Sequence, residues 1–251
     1  MPAPPESFVA AIAQTLNSAQ IPCVLWGQYL LRVHGVPTGI SSMDFIVPDC
    51  ALEAARNTLS LLPHLTLCRE DESCPWYSII WYHPPPSFHF HIKSSEVALD
   101  IYPQSQVLWF LPPLDHSLLH PTKATLPPQY LLASDKDSLP PRDRLGRGSG
   151  AFASPQHRVV VIQAHVLLES CMRLYARDSH KTTGSLSMAA IDYVELYVDG
   201  DGFLDIEQLP EPLRASYCEL KADVKPVAQW LRDLQAALGV PHVEWEDDRT
   251  W

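Results

Sequence analysis

Positive charge is scarce in this 251-residue sequence, which has 18 lysines and arginines against 29 aspartates and glutamates, a formal net charge of −11. Non-specific nucleic-acid binding depends on lysine and arginine clustered near the phosphates, so the overall charge argues against it. One local basic patch is still compatible with this composition. Because 46% of the residues are hydrophobic, the composition also excludes a disordered chain.

Long apolar runs and paired cysteines are absent as well. No segment approaches the roughly 20 apolar residues that a membrane-spanning helix needs, and the first residues lack the pattern of a signal peptide. The six cysteines contain no C-x-x-C pair and no dense disulfide framework. We therefore expect a cytoplasmic protein with reduced thiols and no membrane partner.

Glycine is also scarce, with 10 residues against 24 prolines, and this excess of proline predicts long rigid loops. Helical spacing is found at 7–19, 27–35, 50–61, 159–175, 186–198, 206–219 and 224–238, and strand patterns at 21–26, 44–47, 88–93, 97–102 and 107–111. Regular structure is hard to see between 112 and 155. We predict an α/β core at 1–111, a connector rich in proline, glycine and arginine at 112–155, and a helical half at 156–251.

The order of elements in the predicted core places two aspartates on strands that follow a glycine-led helix. Gly27 and Gln28 come directly after a buried strand, and Asp44 and Asp100 each lie within a later strand. The segments Leu25-Trp26-Gly27-Gln28, Ser42-Met43-Asp44-Phe45 and Ala98-Leu99-Asp100-Ile101 resemble the nucleotidyltransferase core. The resemblance implies a mixed sheet with flanking helices, a helix N-terminus that holds phosphates, and carboxylates that bind Mg²⁺ for an in-line displacement.

The sequence departs from that core at two positions. Ser42 stands where the family's D-x-D pair has its first acid, and Gln28 stands where the family has a second Gly or Ser. Asp44 and Asp100 could still hold one Mg²⁺ as catalytic and metal-binding residues, with Gly27, Gln28 and Ser42 next to the substrate. In the alternative interpretation, both aspartates are structural strand-end residues that accept hydrogen bonds from helix N-termini.

Short phrases along nearly the whole sequence carry a second resemblance. They are LRVHGVPTG, DFIVPD, HFHI, LDIYPQ, ASDKDSLPP, GRGSG, DYVELYVD and LPEPLRASY. Together they resemble a family of small fungal proteins that includes the arginine-containing cyclodipeptide synthases of secondary metabolism. The resemblance implies a transferase that joins arginine from arginyl-tRNA with a second aminoacyl-tRNA to form a diketopiperazine. The motif D-D-x-x-E of that family is matched by Asp192 and Glu195, with Ile191 in place of the leading acid.

The spacing of Asp192 and Glu195 puts both on one face of a predicted helix. A carboxylate there could deprotonate the attacking amine of an aminoacyl ester, or bind the guanidinium of an arginyl group through two hydrogen bonds. The alternative is an exposed acidic face of an ordinary surface helix. For function we predict this cyclodipeptide synthase, with a metal-dependent nucleotidyltransferase acting on a small molecule, or a nucleotide-binding pseudoenzyme, as the alternatives.

The connector supplies the basic residues that aminoacyl-tRNA substrates would need. Arg142, Arg144 and Arg147 lie among three glycines at positions 146, 148 and 150. Backbone N–H groups of such a segment can approach phosphates closely. We therefore predict that these arginines bind the tRNA backbone, and the alternative is a solvated flexible loop.

A group of histidines near the third predicted strand has a spacing that suits a metal. His83, His89 and His91 form an H-x₅-H-x-H run, in which His89 and His91 share one face of the strand. With an acid such as Asp100 they could bind Zn²⁺. The alternative is a pair of hydrogen-bonded structural histidines.

Overall fold

The computed structural model describes residues 4–69, 74 and 84–243. Within these ranges the chain forms two units, the first ending at Gln163 and the second beginning at Ala164. Among the described helices, none has both the length and the apolar character of a membrane span.

The first unit begins with α1 (Glu6–Ser18). Its residues Val9, Ile12 and Leu16 recur at helical spacing and are all buried. The next elements are β1 (Val24–Trp26), α2 (Gly27–Val33), β2 (Ser42–Val47) and α3 (Leu52–Ser60). The positions of these elements agree with the helical and strand patterns of the sequence.

The sheet of the first unit is completed by β3 (Leu65–Leu67), β4 (Phe88–Ile92) and β5 (Ala98–Pro103). In the part of the chain that the structure describes, the five strands are ordered β1-β2-β5-β4-β3. Only β2 and β5 run parallel, and the other neighbouring pairs are antiparallel. This mixed sheet with flanking helices confirms the predicted α/β fold class.

Two sequence predictions in and beside this unit are wrong in element type. Residues 107–111, predicted as a strand, begin at the last residue of the short helix α4 (Gln104–Val107) and continue beyond it. The Gln104 side chain donates to the carbonyls of Leu111 and Pro112. The predicted helix 159–175 divides into the strand β7 (Val160–Ile162) and the helix α5 (Ala164–Asp178). The run of β-branched residues at the start of this second segment favours a strand. Its continuous apolar character did not distinguish a buried strand from a buried helix.

The predicted connector is a packed part of the first unit. Its strand β6 (Tyr130–Leu132) pairs antiparallel with β7. The Gly148 N–H donates to the Gly35 carbonyl at 2.7 Å, and the Gly150 N–H donates to the Arg32 carbonyl at 3.1 Å. A Cβ atom on Gly148 would lie 2.6 Å from the carbonyl oxygen of Arg32. Glycine at position 148 is therefore required for close backbone packing against the end of α2.

The second unit is helical, as predicted. It contains α5, α6 (Thr182–Val194), a π-helical turn at Glu195–Asp199, α7 (Leu213–Lys221) and α8 (Val227–Leu238). The predicted helix 206–219 is interrupted because Pro210 and Pro212 follow a single 3₁₀ turn. Trp230 of α8 is buried, stacks on Tyr175 with 6.1 Å between the ring centroids, and donates its indole N–H to the Ser216 carbonyl.

Candidate functional site

The two aspartates of the predicted core lie side by side on neighbouring strands. Asp44 of β2 is directly opposite Asp100 of β5, and Asp100 is in turn opposite His89 of β4. Trp26 of β1 is opposite Asp44. Because directly opposed residues point to the same face of a sheet, these four side chains form one cross-strand row. The resemblance to the nucleotidyltransferase core predicted the central pair of this row.

Burial dominates the electrostatics of the aspartate pair. Asp44 is 1% exposed and Asp100 is 0% exposed. Burial raises the pKa of Asp44 to about 7, against a smaller opposing effect of the Ser42 side chain. Burial, and next to it the charge of Asp44, raises the pKa of Asp100 well above its usual range. Two adjacent buried carboxyls therefore retain a proton near neutral pH unless a cation neutralises them.

The pair also fits the cation that the sequence resemblance implies. Both carboxylate oxygens of Asp100 are buried, and neither meets a donor in hydrogen-bond geometry among the described residues. A divalent cation with oxygen ligands, such as Mg²⁺, would compensate both carboxylates at once. Ser42 contributes only a hydroxyl where the nucleotidyltransferase core that the sequence resembles has an acid, so the donor set suits one cation rather than two.

The other predicted substrate-binding residues of the core lie at the start of α2 and before β2. Gly27 begins α2 with a φ of +66°, a conformation that favours glycine. The buried Gln28 side chain accepts hydrogen bonds from the Ser41 N–H at 2.6 Å and from the Ser41 hydroxyl at 3.0 Å. Gln28 thus fixes the backbone just before Ser42. A direct contact of Gln28 with substrate stays a prediction.

A group of thiols and imidazoles lies at the other end of the cross-strand row. The ligand atoms of Cys68, Cys74, His89 and His91 all lie within 4.8 Å of one another. Burial, with a smaller effect of the charge of His91, lowers the pKa of His89 to about 4, so His89 is neutral at physiological pH. The structure therefore places two cysteines where the sequence predicted His83 and an acid. His83 lies outside the described residues.

Sequence reasoning missed Cys68 and Cys74 because their C-x₅-C spacing is not a common metal-binding pattern. The available signal was their position. Cys68 directly follows the segment that becomes β3, and its N–H donates to the His89 carbonyl at 3.0 Å. A prediction that paired β3 with β4 would have brought Cys68 to the two histidines.

The connector arginines have mainly structural surroundings. Arg142 forms an ion pair with Glu6 of α1 and also donates to the Ala151 carbonyl at 3.1 Å. The Arg144 guanidinium packs close to Gly35, where an added Cβ would come within 3.0 Å of it. Arg147 is half-buried and donates to the Gly146 carbonyl. Binding of these arginines to tRNA stays a prediction, and the glycines between them serve backbone packing.

Asp192 and Glu195 lie in the second unit, at the junction of α6 and the π-helical turn. Asp192 is exposed and Glu195 is half-buried. Partial desolvation raises the pKa of each carboxyl. Their neighbour Asp199 is more firmly held, because it pairs with Lys221 and accepts a hydrogen bond from the Tyr217 hydroxyl at 2.7 Å. Isolated π turns inside helices often occur at functional sites.

Comparisons with known proteins give structural neighbours only. No protein-family model matches the chain, and no curated protein matches it in sequence. The solution structure of the antibiotic-resistance factor ANT(2″)-Ia is 14% identical, with 87% of this chain and 94% of that chain covered and a TM-score of 0.35. The crystal structure of ANT(2″)-Ia in complex with adenylyl-2″-tobramycin is 11% identical, with 86% and 98% covered and a TM-score of 0.37. At these TM-scores, the fold assignment rests on the strand order and register of this chain.

Proposed function

We propose that the first unit is a metal-dependent nucleotidyltransferase that acts on a small molecule, with Asp44 and Asp100 as its metal-binding carboxylates. The observation that supports this proposal is the parallel register of β2 and β5, which sets the two aspartates opposite each other within a nucleotidyltransferase-like sheet. Buried adjacent carboxylates are unfavourable without a cation, so their presence in the core calls for a functional reason.

In this proposal each residue has a defined task. Asp44 and Asp100 bind the cation, and Ser42 orients the Asp44 carboxylate from two residues earlier on β2. Gln28 holds the backbone of Ser41, which keeps the start of β2 in place. Bound Mg²⁺ would neutralise phosphate charge and polarise the phosphoryl group under attack. The missing first acid removes the usual second ion, so we expect a slow enzyme.

The test is a nucleotidyl-transfer assay with the full chain. Pyrophosphate release from nucleoside triphosphates, measured over a panel of hydroxyl- and amine-bearing small molecules, should require Mg²⁺ and should be lost in Asp44→Asn. The matched control is Glu96→Gln, because Glu96 is an exposed acid just before β5, the strand that carries Asp100. Turnover that survives Asp44→Asn would refute the proposal. Nucleotide binding without turnover would instead identify a pseudoenzyme.

A second candidate function, aminoacyl transfer between aminoacyl-tRNAs, rests on the second unit. The end of α6 and the π-helical turn carry three acids in a short segment, Asp192, Glu195 and Asp199. The first two correspond to the motif of the cyclodipeptide synthases. A half-buried carboxylate with a raised pKa is suited to accept a proton from an attacking amine.

The second candidate is tested by expressing the full chain in a bacterial host and analysing the metabolites by mass spectrometry. An arginine-containing diketopiperazine that disappears with Glu195→Gln and persists with Asp44→Asn would support aminoacyl transfer and count against nucleotidyl transfer. Absence of any diketopiperazine from cells that contain folded protein would count against it.

A further inference from the structure

Four side chains that are separate from the aspartate pair lie close together beside β3 and β4. His89 and His91 are alternate residues of β4 and therefore share a face, and the backbone of Cys68 is hydrogen-bonded to that of His89. Cys74 completes the group, with its Sγ atom 3.3 Å from Nε2 of His89 and 3.7 Å from Nε2 of His91. We call these four residues the thiol–imidazole cluster.

The distances within the cluster are those of ligands around one small metal ion. Tetrahedral Zn²⁺ has metal–ligand distances of about 2.0–2.3 Å, which put neighbouring ligand atoms about 3.3–3.8 Å apart. Both measured distances from the sulfur of Cys74 to the imidazoles lie in this range. The remaining ligand pairs are within 4.8 Å, so the widest pair would have to close by about 1.0–1.5 Å to complete a tetrahedral shell.

The chemistry of the donors selects the metal. Two sulfurs and two imidazole nitrogens are soft to borderline ligands, which favour Zn²⁺ over Mg²⁺ or Ca²⁺. We propose that Cys68, Cys74, His89 and His91 bind one structural Zn²⁺ ion. Four protein ligands complete a tetrahedral shell without an open position, which is the arrangement of structural zinc sites rather than catalytic ones.

The position of the site explains what the ion does for the fold. Zinc would tie Cys74 to the edge of the sheet formed by β3 and β4, and would thereby cross-link parts of the chain that are distant in sequence. Each of the two thiols releases a proton when it binds the ion, and the two thiolates neutralise Zn²⁺, so the net charge beside Asp100 is unchanged. The zinc site and the aspartate pair therefore differ in ligand class and can be emptied separately.

The test begins with zinc analysis of the full chain. Protein purified with a reducing agent and without chelators should contain about one zinc per chain by inductively coupled plasma mass spectrometry. Cys74→Ser and His91→Gln should lose the ion. The matched control is Cys218→Ser, because Cys218 is an exposed thiol on α7 and should leave the zinc content unchanged.

Cobalt(II) gives a second measurement, and its wild-type titration does not depend on how the variants fold. Metal-free wild-type protein titrated with Co²⁺ should develop the intense visible bands of a tetrahedral site together with thiolate-to-cobalt charge transfer. Addition of Zn²⁺ should remove these bands, whereas addition of Mg²⁺ should not. In His91→Gln, the apparent affinity for Co²⁺ should fall by about 100-fold or more.

Any one of four results would overturn the proposal, and the first three concern the metal. They are wild-type protein with reduced thiols and no stoichiometric zinc, an octahedral Co²⁺ spectrum without charge transfer, or zinc that is retained fully in both Cys74→Ser and His91→Gln. A disulfide between Cys68 and Cys74 in protein prepared under reducing conditions would likewise exclude the site.

Discussion

Asp44 and Asp100 in the first unit, and Asp192 and Glu195 in the second, are two carboxylate pairs in different surroundings. The first pair is joined by the parallel register of two central strands and is almost completely buried. The second pair is three residues apart at the junction of α6 and the π-helical turn, where Asp192 is exposed and Glu195 is half-buried. Burial and proximity together raise the pKa values of the first pair strongly, whereas desolvation has a smaller effect on the second.

The difference shows that the surroundings of a carboxylate decide its chemistry more than its spacing in sequence. The helical pair is local and remains available to solvent, so it costs the fold little. The strand pair depends on long-range pairing and destabilises the fold unless a proton or a cation compensates it. A feature that costs stability in the core is a stronger indication of function than an exposed acidic face.

The largest expected effect concerns activity. Asp44→Asn and Asp100→Asn should each lower Mg²⁺-dependent nucleotidyl transfer by about 10³-fold, which corresponds to about 4 kcal/mol in activation free energy. The cause is the loss of a charged oxygen ligand with little change in shape. Asp192→Asn should change the rate by less than about twofold. Steady-state assays of the three variants measure this ranking, and the reverse ranking would assign the chemistry to the second unit.

The next effect concerns stability and pH in the absence of added divalent cations. The raised pKa of Asp44 means that the folded state holds a proton that the unfolded state releases near its ordinary pKa. This contribution to stability is complete below that ordinary pKa and is lost as the pH rises towards about 7. The free energy of unfolding of the wild type should therefore fall between pH 5 and pH 8. In Asp44→Asn this decrease should be smaller by about 2–3 kcal/mol.

Urea unfolding at pH 5 and pH 8 measures the change in the free energy of unfolding between the two pH values, and the control Asp192→Asn should show the wild-type change. An equal change in the wild type and Asp44→Asn would contradict the burial of a shared proton. Added Mg²⁺ should reduce the difference, because a cation bound to the pair replaces that proton.

The contrast between the pairs also explains how much of the site could be predicted from sequence. Gly27 follows a strand with a clear apolar pattern, and Asp44 and Asp100 lie within such strands, so their approximate placement could be predicted. The match of Asp44 to Asp100 and of Cys68 to His89 depends on register, which sequence periodicity does not specify. The short strands β3 and β6 carry too few residues for a period-2 pattern. The connector showed no regular pattern in the sequence, because its order depends on backbone contacts with residues at and just after the end of α2.

A third prediction extends the comparison to that connector, whose backbone N–H groups donate to carbonyls elsewhere in the first unit. Gly148→Ala should lower the free energy of unfolding by about 1–3 kcal/mol, because the new Cβ would lie 2.6 Å from the carbonyl oxygens of Arg32 and Val36. Gly39→Ala is the matched control, since nothing lies within 4 Å of its added Cβ. Equal denaturation midpoints for the two variants would mean that the connector is a loose, solvated segment able to move aside.

The smallest expected effect separates the acids within the second unit. Asp199→Ala should lower the free energy of unfolding by about 1–2 kcal/mol, because the Tyr217 hydroxyl and the Lys221 ammonium both lose their acceptor. Asp192→Ala should change it by less than about 0.5 kcal/mol, as is usual for an exposed residue. Chemical denaturation at neutral pH measures both. If Asp192→Ala were the more destabilising, this acid would hold the helix together, and its assignment to substrate would lose its basis. A small effect of Asp192→Ala leaves that carboxylate available for a substrate, whereas Asp199 is committed to the fold.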